Sequence, residues 1–301
     1  MPGTKVGAIM KDTLSIWLAG ARPRTLPAAI APILAGAASA AAAGSIDLLI
    51  TALCAVVALA LQVGVNYAND YSDGVRGTDD DRVGPIRLVA SGLASATAVK
   101  RAAFLSFGVG AVAGLVVVAL SGLWWLLALG AVCILAAWFY TGGRHPYGYL
   151  GFGEAMVLIF FGFVATVGTA LVISGSVLAH AWVAGLGVGA LASGILVANN
   201  LRDIDTDRVS GKMTLPARLG DRRSRLLYLG LCIVAAGAVV AFAAMTTWFA
   251  LIALLSLGLL VDPLRRVLGG AKGPRLIPVI ASTGFAEIGL GLGLLVGVWL
   301  A

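Results

Sequence analysis

Long apolar runs recur along the chain, separated by short polar segments. Nine of them fit the roughly 20 mostly apolar residues that a bilayer-crossing helix needs: residues 26–43, 47–68, 98–120, 123–140, 152–174, 181–200, 226–245, 247–261 and 276–300. The eighth is short, with its boundary set by the turn at Met245-Thr246-Thr247. None shows the period-2 alternation of a strand, and lipid admits only helices or closed barrels. The pattern predicts an all-α integral membrane protein, read as one domain over residues 1–301. Ahead of the first run, Lys5, Lys11 and Asp12 precede an apolar stretch, Leu14 to Leu18, too brief to span and unlike a cleavable signal. An interfacial helix with Trp17 at headgroup depth is expected there.

Composition agrees. Hydrophobic residues make up 60% of the 301, charged residues only 12%, and mean hydropathy is +0.99. Soluble chains carry about 25% charged residues, so an ordinary cytosolic enzyme, a disordered chain and a disulfide scaffold are all excluded. Cys54, Cys133 and Cys232 each sit in an apolar run without a CxxC pair, as small hydrophobes do.

The net charge of +7 is decided by position. With the N-terminus on one side, all 21 Lys and Arg fall on that side, and the loops near 44–46, 121–122, 175–180 and 246 hold none. By the positive-inside rule that side is the cytoplasm, and an odd number of spans leaves the C-terminus outside. The expected location is therefore the cell membrane, with lipid rather than nucleic acid as the partner of the basic charge.

The acids cluster on the same side. The second span ends in Asn66, Asn69, Asp70 and Asp73, the sixth in Asn199, Asn200, Asp203, Asp205 and Asp207. The same offset separates Asn66 from Asn199 and Asp70 from Asp203, which predicts a repeat of residues 26–140 in 152–261, with 276–300 as a ninth helix. On a helix Asn66, Asp70 and Asp73 share a face within about 60°, and Asn199, Asp203 and Asp207 within about 80°, with Asp205 turned away. Carboxylates at a membrane rim need a cationic partner, and an all-oxygen set suits Mg²⁺ bridging to phosphate. Arg22, Arg76, Arg144 and Lys212 are candidate diphosphate contacts beside them; for Arg144 and Lys212 a plain membrane-anchor role weighs equally. His145 and His180 stand apart and read as loop residues.

At these residues the chain resembles the UbiA-type intramembrane prenyltransferases. Their two aspartate-rich motifs match Asn69-Asp70-Tyr71-Ser72-Asp73 and Asp203-Ile204-Asp205-Thr206-Asp207. The third acid often found four residues beyond the first motif is Gly77 here, with Asp79 the loop acid placed to replace it. Residues 21–27, 69–92, 140–154 and 199–220 resemble the 1,4-dihydroxy-2-naphthoate polyprenyltransferase branch. The resemblance implies a nine-helix fold and two Mg²⁺ ions held by Asp70, Asp73, Asp203 and Asp207. It also implies transfer of a polyprenyl group from polyprenyl diphosphate to 1,4-dihydroxy-2-naphthoate, with loss of CO₂ and diphosphate, to give demethylmenaquinol. Asn66, Asn69 and Asn199 would then orient diphosphate oxygens or metal waters, and Tyr67, Tyr71 and Tyr140 shield an allylic cation, although Tyr140 also fits an interfacial position. Gly284, Gly289, Gly291 and Gly293 in the ninth span fit either a lipid groove or tight packing. Rival readings are another acceptor (4-hydroxybenzoate, haem, chlorophyllide or a phosphosugar) and a cation transporter. Against transport, the ionisable residues stop at one rim, Asp47 and Glu287 excepted.

Overall fold

The computed structural model describes residues 13–77 and 86–301. Asp79 lies outside the described residues, as do Lys5, Lys11 and Asp12. Each apolar run is helical. A short α1 (Thr13–Ala21) leads through a 3₁₀ turn to α2 (Pro27–Ala42), α3 (Leu48–Arg76), α4 (Ala96–Ser121) and α5 (Leu126–Phe139). Then come α6 (Gly153–Ser174), α7 (Ala179–Arg202), the short α8 (Ile204–Val209) and α9 (Leu215–Leu219), α10 (Asp221–Met245), α11 (Trp248–Leu268) and α12 (Gly273–Trp299).

Among the described residues seven helices, α3, α4, α6, α7, α10, α11 and α12, are long and apolar enough to cross a membrane. Two of the nine expected spans are shorter: α2 has 16 residues and α5 has 14. For α5 the reason is local, because residues 122–125 fold into a turn in which the Trp124 amide bonds the Gly122 carbonyl. The eighth span reaches further than its apolar run. Trp248–Leu260 winds as a 3₁₀ helix, and α-helix continues over Val261–Leu268. At a rise of about 2.0 Å per residue, those thirteen 3₁₀ residues alone cover roughly 26 Å.

Helix ends follow their residues. Asp47, an isolated acid in the sequence, caps α3 by accepting the Ile50 amide at 2.8 Å. Gly77 closes the same helix with φ +70°, a left-handed backbone that a side chain strongly disfavours. That conformation accounts for glycine standing where the family's first motif often has a third acid.

Small residues draw one half of the bundle together. A Cβ at Gly162 of α6 would meet the Gly185 carbonyl of α7 at 2.7 Å, and one at Gly189 would meet Gly162 Cα at 2.7 Å. The ninth-span glycines mostly serve the same purpose. A Cβ at Gly291 would meet the Ala31 carbonyl at 2.6 Å, one at Gly293 the Ala253 backbone at 2.5 Å and one at Gly289 the Ser256 side chain at 2.7 Å, while Gly284 has room. Around α7 these contacts build the main core, with Leu191, Tyr228, Phe242, Leu276 and Leu290 fully buried. A second core joins α3 and α4 beneath Tyr67, Leu88 and Phe107.

Candidate active site

A cavity of about 650 Å³ runs between the two cores, with a polar mouth and an apolar interior. Its mouth is formed by Arg22, Asn66, Asn69, Asp73, Asn199 and Lys212. Tyr140 and Arg87 border it too. The interior descends along α3 to Cys54, a drop of about 22 Å from Asn69 at 1.5 Å per residue.

The first acidic helix end and the segment that follows the second come together around Tyr149, which helical spacing does not single out. The Tyr149 hydroxyl donates to Asp73 Oδ1 at 2.5 Å. The Lys212 ammonium, from the second acidic segment, lies 5.0 Å from the centroid of the same ring, and the Arg76 guanidinium 5.5 Å from it. Arg87 approaches the other Asp73 oxygen at 3.8 Å. A carboxylate of the first motif and a cation of the second thus share one aromatic ring.

The four aspartates are not equivalent. Asp73 borders the cavity, whereas Asp70, Asp203 and Asp207 are buried outside its lining. Asp70 accepts the Leu88 and Val89 amides at 2.8 and 3.0 Å, one on each oxygen. It therefore folds the 86–95 segment back onto α3, a structural duty that helical spacing does not reveal. Asp203 holds Arg202 through two hydrogen bonds of 2.6 Å. Asp207 Oδ2 accepts from the Thr214 hydroxyl at 3.3 Å. Asp205 is exposed, as helical spacing requires once Asp203 and Asp207 face inward.

The remaining candidates divide between mouth and frame. Asn66 gives its amide hydrogens to the Ala21 carbonyl at 2.9 Å and Thr25 Oγ1 at 3.0 Å, so its nitrogen clamps the α1–α2 corner rather than facing a ligand. That corner carries Arg22 at φ +54°, the one non-glycine residue with positive φ among the described residues. Such a backbone is held only where its surroundings enforce it. Asn69 accepts from the Thr141 hydroxyl at 2.7 Å. Arg76 donates to the Thr141 and Gly143 carbonyls and stands outside the cavity lining. Arg144 is exposed and also outside it. Tyr67 turns to α1, donating to the Trp17 carbonyl at 2.7 Å, and Tyr71 stacks on Trp138, so neither ring faces the chamber. Tyr140 does, edge-on to Tyr147. Burial pushes the Tyr147 hydroxyl up to about 12, so it stays protonated and donates to the Ala136 carbonyl at 2.9 Å.

Two buried polar residues went unread in the sequence. Glu154, at the start of α6, accepts from the Asn200 amide at 2.9 Å through Oε1, while Oε2 is buried without a hydrogen-bond partner. Gln62, one turn below Asn66, lines the cavity and donates to Thr25 at 3.3 Å. A polar group inside an apolar run was a readable signal for Glu154 and Gln62, and Tyr149 lies in the 140–154 stretch that carries part of the resemblance.

Comparison with known proteins places this geometry. The UbiA prenyltransferase family model matches residues 29–269. The 1,4-dihydroxy-2-naphthoate octaprenyltransferase of Mycobacterium tuberculosis is 50% identical over 276 residues, covering 90% of this chain and 92% of that one. The Haemophilus influenzae protein of the same name is 36% identical over 305 residues, covering 96% and 98%. Among solved structures, an apo UbiA homolog from Aeropyrum pernix K1 superposes with a TM-score of 0.71 at 18% identity, covering 89% of this chain and 97% of that one. A UbiA homolog from Archaeoglobus fulgidus bound to DMAPP and Mg²⁺ superposes with a TM-score of 0.64 at 13% identity, covering 93% and 99%. With the family model spanning most of the sequence and these relatives covered almost end to end, the chain belongs to the UbiA prenyltransferase family.

Proposed function

We propose that the protein transfers a polyprenyl group from polyprenyl diphosphate to 1,4-dihydroxy-2-naphthoate, releasing diphosphate and CO₂ and leaving demethylmenaquinol. The observation that carries this reading is that Asp73 and Lys212, which share the Tyr149 ring, stand with Asn69, Asn199 and Asn200 on the lining of one largely apolar chamber. A diphosphate fits the mouth and an isoprenoid fits the interior. The acceptor class is supported by the relatives' names, since both act on 1,4-dihydroxy-2-naphthoate.

The donor set suits Mg²⁺. Among the described residues no three His, Cys, Asp or Glu side chains form a ready metal cage. Mg²⁺, however, is commonly held by one or two carboxylates together with substrate phosphates. Asp73 and Asn69 on one side of the mouth, and Asn199 and Asn200 on the other, would supply such oxygens, with Asp70, Asp203 and Asp207 buried outside the lining. The partnerless Glu154 oxygen adds a buried acceptor behind Asn200. Mg²⁺ held by these residues would supply positive charge to stabilise the diphosphate leaving group.

The chain's own residues do the rest. Lys212, Arg22 and Arg87 attract the diphosphate to the mouth, and Tyr149 fixes the Asp73 carboxylate by donating to it. The bond between the prenyl carbon and its oxygen breaks, its electron pair leaving with the diphosphate. Tyr140 offers its ring face to the allylic cation. The ring carbon bearing the carboxylate forms the new carbon–carbon bond, and that carboxylate leaves as CO₂, returning its electron pair to the ring. Apolar walls of α3 and α6 keep water from the cation.

In this reading α2 and α5 also cross, giving nine crossings, with the N-terminus cytoplasmic, the C-terminus outside and the mouth at the cytoplasmic face of the cell membrane. Residues 26–140 and 152–261 form parallel repeats within a single domain. Purified protein given octaprenyl diphosphate and each candidate acceptor is expected to prenylate 1,4-dihydroxy-2-naphthoate, to stop with EDTA and to resume with Mg²⁺. Metal-independent turnover, or preference for 4-hydroxybenzoate, would overturn it.

A further inference from the structure

Gln62 is an amide set in an apolar wall. Below Asn66, α3 lines the chamber with Val65, Leu61, Ala58, Val57 and Cys54, and with Gln62. A buried amide is costly unless each of its polar groups finds a partner. Half of this one does, since Nε2 donates to Thr25 Oγ1 at 3.3 Å. The residue is only 9% exposed, and its Oε1 is buried with no hydrogen-bond partner among the described residues.

The hydrogens of this corner have fixed directions. Thr25 has one hydroxyl hydrogen, which goes to the Arg22 carbonyl at 2.9 Å. Its oxygen then serves as an acceptor, taking Gln62 Nε2 and, at 3.0 Å, Asn66 Nδ2. Flipping the Gln62 amide would set two acceptors against each other. The carbonyl oxygen is therefore the half left over for something else. The Thr25 bond is long, and the terminal torsion of glutamine is broad, so the oxygen can turn to a donor arriving from the chamber. Nearby the wall is built small. Ala28 and Ala29, one turn beyond Thr25, line the chamber with Gly284 of α12, where a Cβ would meet Pro27 and Ile195 only at 3.8 Å.

Whatever serves Oε1 must carry a hydrogen to donate. An isoprenoid tail has none, and a diphosphate is a set of acceptors. An aromatic diol has two. In 1,4-dihydroxy-2-naphthoate the 1-hydroxyl is ortho to the carboxylate and closes an internal hydrogen bond to it, which leaves the 4-hydroxyl free. We propose that Gln62 Oε1 accepts the 4-hydroxyl of the aromatic acceptor and so turns the carboxylate-bearing carbon toward the mouth. The inference rests on the prenyl-transfer reading above. Gln62 lies about 10 Å below Asn69 along α3 at 1.5 Å per residue, so the ring occupies the first part of the chamber beneath the diphosphate. The 4-hydroxyl is meta to the reacting carbon and adds little electron density there. Gln62 thus binds and orients the ring without activating it.

The test compares 1,4-dihydroxy-2-naphthoate with 1-hydroxy-2-naphthoate, which lacks the 4-hydroxyl and keeps the reacting carbon, each with octaprenyl diphosphate and Mg²⁺. In the wild type kcat/KM should favour the dihydroxy acceptor. Gln62→Leu and Gln62→Met, of similar bulk but without the carbonyl, should shrink that preference by about tenfold or more, because a site built to bond a hydroxyl discriminates by it. The KM for octaprenyl diphosphate should stay within about threefold. Damage to the Thr25 corner would lower both acceptors alike, so an unchanged preference in both variants would overturn the proposal whether activity falls or not. Calorimetry on the wild type, without prenyl diphosphate, reads the same contact with no variant. There 1-hydroxy-2-naphthoate should bind about tenfold or more weakly than the dihydroxy acceptor, and equal affinities would overturn the contact. A wild type that binds the two with that difference but prenylates neither would instead overturn the reading of function and leave the hydroxyl contact standing.

Discussion

Asp70 and Asp73 belong to one motif but do different things. Asp70 spends both oxygens on the Leu88 and Val89 amides, and removing it strands buried donors. Unsatisfied amides cost about 1–3 kcal/mol, so Asp70→Ala should lower the unfolding midpoint in detergent as well as activity. Asp73→Asn, which keeps an acceptor for the Tyr149 hydroxyl, should abolish transfer with a smaller change in that midpoint; the two melting curves check the distinction. Tyr149 offers a finer probe. Tyr149→Phe loses the hydrogen bond to Asp73, worth about 1.5–3 kcal/mol when the acceptor is charged, and keeps the ring, whereas Tyr149→Ala also strips the ring from Arg76 and Lys212. Both should slow turnover, the alanine variant more, and equal rates would show the ring to be idle. The acids were legible in the sequence because charge in an apolar chain stands out. Their individual partners were not, since the Leu88 amide and the Tyr149 hydroxyl reach them only through the fold.

At the scale of elements, apolar run length located every long helix, while the short polar helices α8 and α9 and the winding stayed hidden. The π-helical turn of α6 and the 3₁₀ course of Trp248–Leu260 leave the same hydrophobic pattern as an α-helix. The ninth-span glycines could be read as groove or as packing, and contact distances settle three of the four as packing. Gly162 turns this into an expected outcome. Gly162→Ala would press a methyl into the Gly185 carbonyl, and overpacking of this kind costs about 1–3 kcal/mol. Thermal unfolding in detergent should show that loss, with Gly108→Ala, which meets open space, unchanged or slightly stabilised.

For the molecule as a whole, the proposed nine crossings put all the Lys and Arg and the Asp73-bearing mouth on one face. With Cys54, Cys133 and Cys232 replaced by Ala, a single cysteine at Ser45 or Ser176 should react with an impermeant maleimide in intact cells. One at His145 or Ser210 should react only after permeabilisation, and the reverse pattern would invert the topology. The central claim is that two acidic helix ends act together on one prenyl diphosphate. It is tested most directly by mass analysis of the quinol formed from octaprenyl diphosphate and 1,4-dihydroxy-2-naphthoate by purified wild type, Asp73→Ala and Asp207→Ala, with Mg²⁺ present. The wild type should give the prenylated, decarboxylated quinol and neither variant should; product from either variant at the wild-type rate would contradict the account.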